Sequence, residues 1–199
     1  MALKLYDMQR SGHAHRVRLF LSLLEQRYES IPVNLPAGEH RSPGFLAMNP
    51  LGQVPVLVDD DVVITDSTAA LVYLAHKYDD GIWLPRDAAG AARVQVWLSA
   101  ASGLLYSGPA VARVGVVFKR DVDMDAAHAN ARRLFKWMQQ VLETSTWLAA
   151  DHATIADVAM YSYTRVADEG NIDVSEYPAI ERWLSDVQRL SGFVAMPRS

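Results

Sequence analysis

The sequence predicts an α/β unit over residues 1–80 and an all-helical unit over residues 87–199, joined by a linker at 81–86. Three observations carry that prediction. Before residue 80, short runs rich in β-branched residues alternate with helical patterns in the order β-α-β and then β-β-α. The texture changes at Asp79-Asp80-Gly81, where Gly81 and Pro85 punctuate a short stretch holding Ile82 and Trp83. Beyond it, apolar residues recur at helical spacing.

Leu3 to Met8 alternates as a strand, and Ser11-Gly12 breaks it. Val17, Phe20, Leu21 and Leu24 then mark a helix. Tyr28 to Leu35 reads as a second strand, and Pro32 within it implies an edge position or a bulge. Residues Pro36 to Pro50 are loop-rich, with one helical turn around Phe45 to Met48. Val54 to Val58 and Val62 to Thr65 form a hairpin around Asp59–Asp61. Asp66-Ser67 opens a helix whose apolar face includes Ala70, Leu71 and Leu74. In the second unit a helical run from Asp87 to Phe118 is expected to break near Gly108-Pro109. A second covers Met124 to Leu148, a third starts at Thr154, and a fourth follows Pro178.

Composition narrows the function. Half of the residues are apolar, enough for a sizeable core, and the net charge of −4 argues against a nucleic-acid partner. The opening Met-Ala-Leu-Lys-Leu-Tyr-Asp reads as a strand rather than a signal peptide, and no apolar run suffices to span a bilayer, so a soluble cytoplasmic protein is expected. There is no cysteine. Disulfides, thiolate metal sites and a cysteine nucleophile are therefore excluded, and any thiol chemistry must use a sulfur that arrives with a ligand.

The richest stretch is Asn49-Pro50-Leu51-Gly52-Gln53-Val54-Pro55, followed by Asp66-Ser67. With Gly38-Glu39-His40-Arg41-Ser42-Pro43 before it and Thr154-Ile155-Ala156-Asp157 far after it, the order and spacing resemble the cytosolic glutathione transferase family over nearly the whole chain. Theta-like and bacterial serine-type members are the nearest in pattern. The resemblance implies a thioredoxin-like N-terminal domain that binds glutathione, an all-helical C-terminal domain that lines an electrophile cleft, and a homodimer. It implies no metal.

Each candidate residue has a chemical and a structural reading. Pro55 is either an ordinary trans proline opening a strand or, as the resemblance implies, a cis proline that exposes the backbone of Val54 to glutathione's cysteinyl unit. Asp66 and Ser67 suit a helix N-cap. The same helix start suits glutathione's γ-glutamyl end, with Ser67 taking the carboxylate and Asp66 the ammonium. The family more often has glutamate in place of Asp66. Gln53 and His40 are implied as further contacts, the latter to the glycyl carboxylate, which Arg41 could serve by charge. His40 reads equally as a solvated loop residue.

Ser11 is the catalytic candidate by resemblance, its hydroxyl meeting the glutathione sulfur; alone it reads as an N-cap. Lowering a thiol pKa from ~8.5 by ~2 units takes about 2.7 kcal/mol, within reach of one charge-assisted hydrogen bond and a helix start. Many bacterial relatives carry cysteine three residues on; Ala14 stands here, which excludes a protein–glutathione mixed disulfide. Tyr6 lies inside the first strand and reads as packing. His13 and His15 point to different sides of a helix and have no acidic cluster beside them, so they do not read as a metal site, although His13 could line the sulfur site. Thr154 to Asp157 is a capping box with Asp in the usual Glu position, assigned to folding. Trp97, Trp137 and Trp183 read as core, and Tyr106 as a wall of the electrophile pocket. The expected function is a glutathione transferase. Two alternatives stand beside it: a glutathione-dependent disulfide or peroxide reductase that works without protein cysteine, and a non-catalytic interaction module.

Overall fold

Alternation sets the first strand, β1 (Leu3–Asp7): Leu3, Leu5 and Asp7 are buried, while Lys4 and Tyr6 are partly exposed. The computed structural model describes residues 3–199; Met1 and Ala2, which open the expected first strand, lie outside the described residues. Helix α1 (Gly12–Leu23) carries the chain over to β2 (Tyr28–Pro32), which pairs parallel to β1. A parallel pair requires such a crossover. The strand β3 (Val56–Asp59) then runs antiparallel to β1, and β4 (Val62–Ile64) antiparallel to β3, giving the order β2-β1-β3-β4. β2 is an edge strand and ends at Pro32, three residues before the expected Leu35. The proline explains the position, since it cannot donate to a further neighbour.

Helix α2 (Pro43–Met48) starts at an N-cap Ser42 whose hydroxyl accepts from the Phe45 N–H. Helix α3 (Ser67–Tyr78) leads through residues 79–87 to α4 (Ala88–Ser102). The helical run expected from Asp87 to Phe118 breaks earlier than Gly108-Pro109. Gly103 leaves helical geometry at φ −98°, ψ −92°. The chain resumes as one π-type turn, Tyr106–Ala110, which absorbs Pro109 and continues into α5 (Val111–Val117). Pro109 has no N–H for a regular α-turn, and the wider turn accommodates it. A Cβ on Gly108 would stand 2.7 Å from the Ala131 backbone nitrogen of α6 (Met124–Leu142), so only glycine lets the turn approach that helix.

α6 stops at Leu142, six residues short of the expected Leu148. Hydroxyls end it: Thr144 and Ser145 both donate to the Val141 carbonyl, and Ser145 also reaches the Trp147 carbonyl. Side-chain groups of this kind compete with the next helical turn. Two further helices, α7 (Ile155–Arg165) and α8 (Pro178–Gln188), complete the chain. α7 is buried along nearly its whole length and packs on α1, α3 and α4. One continuous apolar core therefore runs from Leu3 and Leu5 through α1 and α7 to Trp183 and Met196. Trp97 and Trp137 stack at 4.3 Å within it. Tyr6 packs edge-on to Phe45 over a smaller cluster with Val33 and Val56, a packing role. Among the described residues no helix is long and apolar enough to cross a membrane.

Candidate functional site

The loop before β3 is shaped by Asn49, which the sequence motif includes without a role of its own. Asn49 is buried, donates to the Gln53 carbonyl at 2.8 Å and accepts from the Leu51 N–H at 3.1 Å. Gly52 adopts φ +60°, and a Cβ there would stand 3.0 Å from the His40 carbonyl oxygen. The Val54–Pro55 bond that follows is cis. These constraints place Gln53, Val54 and Pro55 along one wall of a cleft of about 220 Å³. Thr65, Asp66 and Ser67 form its floor, His13 and Arg16 come from α1, and Ser102 and Tyr106 close it from the helical side.

Asp66 caps α3: its Oδ1 accepts from the N–H groups of Thr68 at 2.9 Å and Ala69 at 2.8 Å, and from the Thr68 hydroxyl at 2.6 Å. Burial alone would raise its pKa, but these bonds and the Arg16 charge outweigh it and hold the carboxyl below its usual value. It is an anion at neutral pH. The cap takes the Thr68 and Ala69 N–H groups and leaves that of Ser67 unused among the described residues, while the buried Ser67 hydroxyl accepts from Arg16 Nη1 at 3.1 Å.

Arg16 is the residue that sequence reading missed. An arginine three positions after His13 on a helix reads as a solvated charge, yet here it is 1% exposed. The same Nη1 lies 3.0 Å from His13 Nδ1, and the guanidinium sits 5.7 Å from the Tyr163 ring. Nε and Nη2 are buried with no hydrogen-bond partner among the described residues. Burial pulls the Arg16 pKa down to about 10, with Tyr163 and Asp66 pulling it back up, so it remains a cation. A buried guanidinium with two idle donors beside a free helix-start N–H is a receptor for a carboxylate.

Several expected residues lie elsewhere. Ser11 is the N-cap of α1: its hydroxyl accepts from the Ala14 N–H at 3.2 Å, and it is not among the side chains lining the cleft. The start of α1 is covered by Tyr163, whose oxygen the Gly12 and His13 N–H groups approach; a Cβ on Gly12 would strike that ring at 2.6 Å. His40 and Arg41 sit in a short 3-10 turn, Glu39–Arg41, outside the cleft wall. His40 Nδ1 is buried there without a hydrogen-bond partner among the described residues, and Arg41 is exposed. Tyr106 is half exposed at the cleft rim, 5.9 Å from the His13 ring.

His13 and His15 do face different sides. His15 is fully buried, with Nδ1 2.9 Å from Ser162 Oγ and Nε2 2.9 Å from the Val194 carbonyl. The carbonyl can only accept, so Nε2 carries the proton and the serine hydroxyl donates to Nδ1. No metal-holding group of acidic, cysteine or histidine residues occurs among the described residues. Burial, helped by Arg18 and Arg16 and resisted by the backbone bonds at Val194 and Ala195, lowers the His15 pKa to about 4. In the unfolded chain the value is ~6.5, so between the two the unfolded state holds more protons and stability rises with pH. This contribution is complete above the unfolded value and disappears as pH falls through the folded one. His15 is expected to contribute about 2 kcal/mol to the fall in unfolding free energy between pH 7 and pH 5, and the fall measured by urea titration to shrink by that amount in His15→Gln. An unaltered drop in that variant removes His15 as its source.

Residues 1–76 match the family model described as glutathione S-transferase, N-terminal domain, and residues 104–190 that of the C-terminal domain. Glutathione S-transferase Z1 of Arabidopsis thaliana is 53% identical over 85 residues, 43% of this chain and 38% of that one, so the matched part spans well under half of that relative. The protein named maleylacetoacetate isomerase of Rhizobium meliloti is 32% identical across 88% of this chain and 86% of its own length. A solved structure of a glutathione S-transferase from Pseudomonas fluorescens covers 100% of both chains at 32% identity and a TM-score of 0.93.

Proposed function

The chain belongs to the glutathione S-transferase family, and from that premise we propose that its cleft binds glutathione and presents the sulfur as a thiolate to an apolar electrophile. The observation that carries this reading is one cleft in which Val54 faces the α3 start and the idle nitrogens of buried Arg16. The backbone of Val54 would pair with the cysteinyl unit as an added strand does. Ser67 and Arg16 would take the γ-glutamyl carboxylate, and Asp66 the ammonium. Two charged ends of one ligand then meet their counter-charges at one helix terminus.

The sulfur would lie in the cleft beside Val54 and Pro55, facing the His13 side of α1; Ser11, the N-cap of that helix, stands outside the cleft wall and takes no part in this reading. The thiol proton leaves to solvent. The thiolate pair forms the carbon–sulfur bond as the leaving group departs with its electrons. The electrophile would sit against Tyr106 and Ser102 at the helical side. Proximity and thiol ionisation supply the rate. Residues 1–80 and 87–199 would act as the two halves of this site, and pairing into homodimers is part of the same proposal.

Calorimetry with glutathione and turnover of an aryl halide test it. Saturable binding with conjugation is expected; no binding heat at millimolar glutathione overturns the reading in favour of a non-catalytic module. The Rhizobium relative favours one second reading. A thiolate that adds reversibly to a cis double bond conjugated to a carbonyl allows rotation and then leaves again, isomerising the bond. That reaction consumes no glutathione, whereas conjugation consumes one per turnover.

A further inference from the structure

We propose that neutral His13 donates its Nε2–H to the glutathione sulfur, with Arg16 fixing the tautomer that makes it a donor. This deepens the transferase reading and rests on it. The Arg16 guanidinium has donors and no acceptor. Its Nη1 stands 3.0 Å from His13 Nδ1, so Nδ1 must accept and the ring proton sits on Nε2. Ser67 Oγ is on the same side, 3.5 Å from Nδ1. Nε2 is on the opposite edge of the ring and has no hydrogen-bond partner among the described residues. The ring lines the cleft that also holds Val54 and Pro55, and it is held in place by Tyr163, edge-on at 5.0 Å, and Tyr106.

Competing donors for the sulfur are fewer than the sequence suggested. The first N–H groups of α1 face the Tyr163 oxygen, and the Ser11 side chain is outside the cleft wall. The charges around His13 are Arg16, which opposes its protonation, and Asp66, which favours it. Burial together with Arg16 prevails and lowers its pKa to about 3. The donor is therefore neutral and present at every physiological pH. Nε2 already carries its proton and cannot receive the thiol's, so His13 stabilises the thiolate without acting as a base.

The test is an ultraviolet titration of the thiolate of bound glutathione in the wild type, His13→Ala and His13→Asn, with binding followed by calorimetry. His13→Ala is expected to raise the bound thiol's pKa by about 1 unit, leaving about tenfold less thiolate and tenfold lower kcat at a pH below that pKa, while Kd changes by less than about twofold. His13→Asn, which restores a neutral N–H donor, is expected to recover most of the shift. A bound thiol pKa that is unchanged in His13→Ala while glutathione still binds overturns the inference and leaves the transferase reading standing. A wild type that binds no glutathione removes both together.

Discussion

Asp157→Ala is expected to lower the unfolding free energy by about 4 kcal/mol, within the range for breaking a buried charged network. The carboxylate is 1% exposed and spends both oxygens. Oδ2 accepts from the Thr154 N–H at 2.9 Å and the Thr154 hydroxyl at 3.2 Å, and Oδ1 from the Leu148 N–H at 3.1 Å and Trp183 Nε1 at 2.9 Å. Alanine would strand those donors in the core. Each stranded group costs roughly 1–3 kcal/mol, and the sum is reduced where water enters the vacated space. The residue does more than cap α7. It ties that helix to α8 through Trp183 and to the segment after α6 through Leu148, whose carbonyl accepts from Trp97 of α4 at 2.8 Å. Asp157→Asn keeps the volume but turns one acceptor into a donor facing donors, so a loss of about 2–3 kcal/mol is expected there. Urea denaturation followed by tryptophan fluorescence measures both; a loss below about 1 kcal/mol for the alanine variant refutes the network's weight.

That example shows what the sequence could and could not disclose. Thr154 to Asp157 reads as a capping box because the signal lies within four residues, and the box is present. The bonds to Leu148 and Trp183 join residues distant in sequence and leave no local trace. The same division holds elsewhere. The kind of each element and its order along the chain follow from apolar periods of two and 3.6 residues, which a single chain displays, whereas the spatial strand order does not. The end of α6 depends on hydroxyls that choose between solvent and the Val141 carbonyl, and periodicity does not register that choice. The earlier break at Gly103 was outweighed in sequence by the louder Gly108-Pro109 pair.

The site divides in the same way. Asp66-Ser67 is legible because an acceptor at a strand-to-helix junction has few other uses. Ser11 is legible as a residue type but ambiguous in role, since one hydroxyl can accept from a helix N–H and donate to a thiolate, and no local signal in the sequence chooses between them. Arg16 was invisible. Its burial is created by Tyr163 from α7 and Ser67 from α3, neither of which a helical wheel of α1 contains.

Arg16 therefore yields the most discriminating expectation. Arg16→Met should weaken glutathione binding by about a hundredfold, or roughly 2.7 kcal/mol, the scale of one or two charge-assisted hydrogen bonds. Its effect on the unliganded fold should be of the opposite kind. A guanidinium buried with two donors idle carries a desolvation cost that Tyr163 and Asp66 offset only in part, as its lowered pKa of about 10 reflects. An apolar side chain of similar length removes that cost, and the Ser67 hydroxyl, 3.5 Å from His13 Nδ1, is placed to take over the bond that Arg16 gave that atom. Thermal melting of the unliganded variant is thus expected at or above the wild-type temperature, while the upward shift produced by saturating glutathione should shrink sharply. Loss of stability and of affinity together would mark Arg16 as a structural strut. Loss of affinity alone would mean that α1 holds a strained cation in reserve for the ligand's carboxylate, so that the site is completed only when the tripeptide arrives.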